Sequence, residues 1–206
     1  MELREALGQI SEIRAQMSRT QSFGGFRSLT VGFSGVLGLV AAVFQANQID
    51  RPMERVWDYV DLWSGVAVFS LIVVGAELAC NHSADRSSLR RRLTVRAIQQ
   101  FVPCLVAGAA ITAVIVVLSA EIAWMLPGLW AILFGLGVFA SSQLLPEPTF
   151  WIGVHYLVTG TICLAIGRGE AALSPWMMAA TFGLGQLLAA LILYYTLERG
   201  YEELEA

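Results

Sequence analysis

The sequence predicts an all-α integral membrane protein, a six-transmembrane-helix bundle preceded by a cytoplasmic amphipathic helix. Three observations predict it. Of the 206 residues, 56% are hydrophobic and only 14% charged, with a mean hydropathy of +0.64, outside the range of ordinary soluble domains. Six apolar runs follow one another, each long enough to cross the roughly 30 Å hydrocarbon core as a helix. One of them, Ile122–Pro146, is 25 residues without a charge, bracketed by Glu121 and Glu147.

In chain order, residues 2–19 (ELREALGQISEIRAQMSR) place Leu3, Leu7, Ile10, Ile13 and Met17 near one helical face. Glu2, Glu5 and Glu12 balance Arg4, Arg14 and Arg19, so this helix is no polybasic lipid anchor. It lacks the apolar core of a signal peptide and is expected to be retained, packing on the bundle or pairing with a second copy or another protein. Phe23-Gly24-Gly25-Phe26 is a joint to the membrane, which divides the chain into residues 1–27, a transmembrane domain 28–198 and a short acidic tail 199–206.

Span one is expected over Leu29–Ala46, where Gly32, Gly35 and Gly38 recur every third residue and allow another helix to approach closely. A loop over 47–61 follows, with Trp57, Tyr59 and Trp63 as interfacial aromatics. Span two covers Leu62–Cys80 and contains Glu77; span three covers Leu93–Leu118, opening with Arg96, Gln99 and Gln100 and passing Pro103. Span four is Ile122–Pro146, span five Phe150–Ile166 with His155, and span six Pro175–Leu197 with Gln186. Ten arginines flank one side of this arrangement and three the other, so the positive-inside rule places both termini in the cytoplasm, at an inner membrane.

Part of span four recurs in span six. Pro127 and Pro175 are each followed seven residues on by Phe-Gly-Leu-Gly, carrying Gly135 and Gly137 in one copy and Gly183 and Gly185 in the other. Leu105-Val106-Ala107-Gly108 pairs similarly with Leu157-Val158-Thr159-Gly160. If the 3–4 hairpin repeats as the 5–6 hairpin, the fold is three stacked helical hairpins; short Gly-rich matches in apolar sequence also arise by chance.

Arg14–Arg27 (RAQMSRTQSFGGFR), Met125–Ser142 and Ala172–Trp176 (ALSPW) resemble blocks in a group of bacterial six-span membrane proteins with no assigned activity. The resemblance covers about a fifth of the chain and implies topology alone.

Several functions are excluded or weakened. A net charge of −3 offers nothing to nucleic acid. All thirteen basic residues are arginine, which removes Schiff-base chemistry and the lysine of a phosphate-binding loop. Three cysteines within or beside apolar runs argue against a disulfide framework. Gly32-Phe33-Ser34-Gly35 matches the G-x-S-G of rhomboid intramembrane proteases, but in the first span and without the rest of that pattern. Cys80-Asn81-His82, Cys104 and His155 lack the paired spacing of metal sites and of haem ligation, so no metal or other cofactor is expected, and no enzyme motif is present.

The polar residues inside spans carry what functional signal there is. Glu77 sits a turn inside span two, where a charge is costly and is usually paired or functional. Arg96 at the same depth makes a structural Glu77–Arg96 pair the competing explanation. Gln143, His155 and Gln186 complete the set as path-lining groups or as interhelical hydrogen-bond donors. Two functions stay open: a small-solute or ion permease or channel with a polar path in its cytoplasmic half, and a non-transporting sensor or assembly partner acting through helix 2–19.

Overall fold

The computed structural model describes residues 28–84, 88–142 and 147–198, without the side chains of 81–94 and 197–198. The predicted helix 2–19, the joint at 23–26, Gln143 and the acidic tail lie outside the described residues, as do the side chains of His82 and Arg90–Arg92. Within them the chain is all-helical, and six helices are long and apolar enough to cross a membrane. This is a multi-pass membrane protein, a six-helix bundle.

The helices are α1 (Ser28–Gln48), α2 (Val56–Ala84), α3 (Ser88–Leu118), α4 (Leu126–Ser141), α5 (Phe150–Ile166) and a composite α6. That last rod runs as α-helix over Pro175–Met178, π-helix over Ala179–Gly183, α-helix over Leu184–Leu193 and π-helix over Tyr194–Glu198. Each helix touches the next, and α6 returns to pack on α1, so three hairpins form a ring. The α2–α3 joint is its slightest contact.

Two expected boundaries move, each for a local reason. Span four does not run as one helix from Ile122. Ala120–Met125 forms a 3₁₀ turn, and the α-helix starts at Leu126 with Pro127 in its first turn. Proline has no N–H to give and its ring obstructs the carbonyl four residues back, so a helix starts at Pro127 more readily than it passes through. Pro175 opens α6 after the 3₁₀ turn Gly169–Ala171 and Ser174 in the same way. The loop after α1 is also shorter than 47–61, because α2 begins at Val56. Tyr59 and Trp63 are therefore core residues, 0% and 3% exposed, and not interfacial ones; of the three aromatics only Trp57 is exposed.

Two apolar clusters fill the bundle. One lies toward the end carrying the 49–55, 119–125 and 167–174 turns. It joins Ala42, Tyr59, Trp63, Ile115, Leu126, Leu173 and Met178, drawing on α1–α4, α6 and the turn before it. The other lies toward the opposite end and joins Val31, Ala131, Val138, Tyr156, Ala189 and Leu193, with Phe101, Phe134 and Phe182 against it. Helix α2 contributes to the first cluster and not to the second. Only 11% of its apolar window, and of that of α3, is buried, against 33–44% for the other four spans.

Glycine sets the closest approaches. On the α1–α6 face, a Cβ on Gly35 would lie 2.9 Å from Leu187 Cγ and 3.0 Å from the Gly183 carbonyl; Gly32 faces Ala190 and Gly38 faces Gly183 itself. On the α4–α5 face, a Cβ on Gly128 would lie 2.8 Å from the Gly160 carbonyl, and one on Gly135 would lie 3.1 Å from that of Gly153. The two Phe-Gly-Leu-Gly copies behave alike. Gly137 and Gly185 each receive an aromatic ring from the preceding helix, Phe101 and Tyr156 respectively. Gly135 and Gly183 each face the next helix round the ring, α5 and α1.

Candidate functional site

Side-chain oxygens withdrawn from solvent and without a hydrogen-bond partner occur, among the described residues, at Tyr59, Glu77 and Tyr156. All three lie in spans. In a bilayer interior such a group costs a few kcal/mol unless something outside the fold satisfies it, so these three positions and their surroundings define the candidate site.

Glu77 lies near the far end of α2, about 14 residues and roughly 21 Å of helix beyond Trp63. Both carboxylate oxygens are shielded, although the residue as a whole is only half-buried. Arg96 is exposed and makes no ion pair with it, so the hairpin is not closed by a Glu77–Arg96 bridge. The ion pairs among the described residues are instead exposed neighbours at the other end, Arg51–Glu54 and Arg55–Asp58.

The second part of the site lies between α5 and α6, around the π segment. His155 is half-buried, and its Nε2 donates to the Thr181 carbonyl at 3.1 Å. A π turn carries an extra residue and shifts the backbone ladder, and such turns concentrate at functional sites. Thr181, 1% exposed, is engaged at its other oxygen too. Its hydroxyl donates to the Met177 carbonyl at 2.8 Å and lies 3.7 Å from Cys163 Sγ. Beside His155, the fully buried Tyr156 ring fits against Gly185, where a Cβ would meet the Tyr156 hydroxyl at 2.8 Å and His155 Cδ2 at 3.0 Å. Only a glycine leaves room for both rings. Gln186, the next residue, is half-buried.

The third part is a buried lock that the sequence did not advertise. Gln45, 0% exposed, donates from Nε2 to the Leu173 carbonyl at 2.7 Å and accepts at Oε1 from Trp63 Nε1 at 2.8 Å. One side chain thereby ties α1 to α2 and to the turn before α6. A turn away, Tyr59 stacks on Trp130 of α4 with ring centroids 6.4 Å apart, and Trp130 Nε1 donates to Thr112 Oγ1 of α3 at 2.8 Å. Helix α2 is thus pinned at its Gln45 end.

Of the polar residues expected to line one path, Glu77 and His155 fall on separate contacts. His155 sits at the α5–α6 interface, whereas Glu77 belongs to α2, which packs chiefly on α1. Gln45, Tyr59, Tyr156 and Thr181 were missed. Gln45 falls in the last turn of span one, beside the loop that opens at Asn47, and Tyr59 reads as an interfacial anchor, with Tyr156 and Thr181 as ordinary span residues. No group of three His, Cys, Asp or Glu side chains converges among the described residues. No family model matches the chain, and neither the curated proteins nor the solved structures contain a significant match.

Proposed function

We propose that this chain is a small membrane transport protein that binds and passes a small polar solute or an ion, moving its substrate without transforming it. One observation carries the reading: the buried oxygens of Tyr59, Glu77 and Tyr156 lack partners inside membrane-spanning helices, where a passing ion, solute or water would supply them. The uneven packing supports it. The α2–α3 hairpin is the lightly buried part of the ring, and α2 is held at one end by Gln45 and Trp63. Movement of one part of a bundle against the rest is a common way for transporters to alternate access, and Glu77 lies on α2 away from its pinned end. The arginine asymmetry supports placing both termini, and hence the Glu77 end, on the cytoplasmic side of a bacterial inner membrane.

The test is flux of protons and monovalent ions in proteoliposomes, comparing the full chain with Glu77→Gln at matched folding. Flux in the wild type that is lost or strongly reduced in Glu77→Gln supports the assignment. Flux indifferent to Glu77, or none for any small ion or polar solute tried, overturns it.

A further inference from the structure

The face that α2 turns to the bundle is set by its periodicity. Tyr59 and Glu77 are about five turns apart at 3.6 residues each, so they stand on one line roughly 27 Å long. Ser70 falls on the same line, about three turns from Tyr59 and two from Glu77. Tyr59 is buried and both Ser70 and Glu77 are half-buried, whereas Val68, Ile72 and Gly75 on the opposite face are exposed. Glu77 therefore stands on the side of α2 that carries Tyr59, away from the exposed face. The sequence hid this alignment, because Tyr59 falls before the apolar run that begins at Leu62.

Charge along that line is one-sided. Among the described acidic side chains Glu77 alone is not exposed, and every described arginine side chain is exposed. No fixed cation among the described residues offsets the carboxylate, whose two oxygens are shielded from solvent. The buried atoms left without a partner are all oxygens, those of Glu77 and the hydroxyls of Tyr59 and Tyr156. By contrast, Nε2 of Gln45, Nε1 of Trp63 and Trp130 and Nε2 of His155 are each hydrogen-bonded. What the described spans hold in reserve is acceptors.

We propose that the species this chain carries is a monovalent cation, held by the Glu77 carboxylate and moving along the α2 face that bears Ser70 and Tyr59. The assignment rests on the transport reading and narrows it. A hydroxyl can present its proton or its lone pairs and suits either sign, but an ionised carboxylate is an acceptor only. An anion beside Glu77 would meet like charge in a low-dielectric interior, and a neutral solute would leave that charge uncompensated. One monovalent cation brings the pair to zero net charge. A divalent ion leaves a positive charge that no second shielded carboxylate among the described residues removes. Oxygen donors suit hard cations, so the proton and the alkali ions are the candidates.

The experiment uses the full chain in proteoliposomes, with uptake of radiolabelled Na⁺, Rb⁺, Cl⁻, Ca²⁺ and glycerol measured separately and an interior pH dye for protons. The expected result is uptake of protons, Na⁺ or Rb⁺ at least tenfold faster than that of Cl⁻, Ca²⁺ or glycerol. Glu77→Gln should lower that uptake at least tenfold, and Glu77→Asp should keep the preference for the cation. Ser70→Val should slow uptake at least threefold, while Ile72→Val on the exposed face leaves it unchanged. Faster uptake of Cl⁻, Ca²⁺ or glycerol overturns this inference and leaves the transport reading standing; no uptake of any probe overturns both. Uptake indifferent to Ser70→Val overturns the route along α2. Because the order of the probes is read on the wild type, a variant that fails to fold does not shelter the idea.

Discussion

Gly160 and Gly75 are both glycines within membrane-spanning helices, yet their surroundings are opposite. A Cβ on Gly160 would meet the Gly128 carbonyl at 2.9 Å, Ile132 Cγ1 at 2.9 Å and the Ala131 Cβ at 3.0 Å; one on Gly75 would meet no described residue within 4 Å. Gly160 belongs to the α4–α5 face, where two backbones touch. Gly75 lies on α2, on a surface that also exposes Val68, Phe69 and Ile72. Lipid is as apolar as leucine, so helices in a membrane gain from close backbone approach and not from hiding apolar area. The rigid part of this protein, α1 with α4–α6, is where glycine made that approach available. Helix α2 is joined to it chiefly by directed polar and aromatic contacts at one end, while α3 packs on α4, where Phe101 meets Gly137 and Phe134.

The largest expected effect tests the tight face. Gly160→Ala places a methyl against backbone and two side chains that have no free direction to move. It should cost about 1–3 kcal/mol of stability, as overpacking of a filled core does. Gly128→Ala, whose Cβ would sit 2.6 Å from Leu164 Cγ, should behave alike. Thermal denaturation in detergent reads both, and an unchanged midpoint in both variants would mean the α4–α5 face is looser than these distances state.

Next comes the pin between the two regions. Gln45→Leu keeps the volume but strands the Trp63 indole N–H and the Leu173 carbonyl, at a cost of about 1–3 kcal/mol. A double-mutant cycle with Trp63→Phe isolates the side-chain pair, and its coupling should fall near the roughly 0.6–1.7 kcal/mol found for hydrogen bonds within membranes. Zero coupling would remove Gln45 as the hinge point of α2.

How much of this was legible beforehand follows from which physics each feature uses. The six spans were legible because bilayer thickness imposes a length and composition that few other folds share. The starts at Pro127 and Pro175 follow from proline chemistry, though the uncharged run from Ile122 concealed the first. The π segment at Ala179–Gly183 left no mark, since its residues (AATFG) suit an ordinary helix and the register shift answers to His155 and the α1 contact. Gln45 was illegible for a related reason. A glutamine near a span end is usually solvated, and only the return of the chain at Leu173 gives it a buried partner. Glu77 and His155 were visible as polar residues in apolar runs, but whether they meet depends on helix order round the ring, which composition does not encode.

A smaller effect is expected at the Glu77 end of α2. Glu77→Gln replaces the carboxyl with an amide of the same shape without breaking a hydrogen bond to any described residue, so stability should change by less than about 1 kcal/mol. Arg96→Gln should be additive with it, since the two side chains are not paired. Non-additivity beyond about 0.5 kcal/mol in detergent unfolding would restore the Glu77–Arg96 bridge as the reason for the carboxylate, and would remove the strongest of the three unsatisfied groups from the transport argument.

The smallest effect separates a lipid-facing α2 from one that awaits a partner helix. With no described residue within 4 Å of either site, Gly65→Ala and Gly75→Ala meet no clash, and each should stabilise by about 0.5–1 kcal/mol through helix propensity alone. That sign is opposite to the one expected for Gly160→Ala, from the same chemical change. Detergent micelles holding monomer and lipid bilayers at high protein density should agree if the open face of α2 meets only lipid. If the alanines stabilise the monomer but weaken the protein in crowded bilayers, a second helix is approaching at Gly65 and Gly75 as closely as α5 approaches α4 at Gly128. The contrast between the two glycine faces would then be one of occupancy, and the ring described here would be half of a larger assembly.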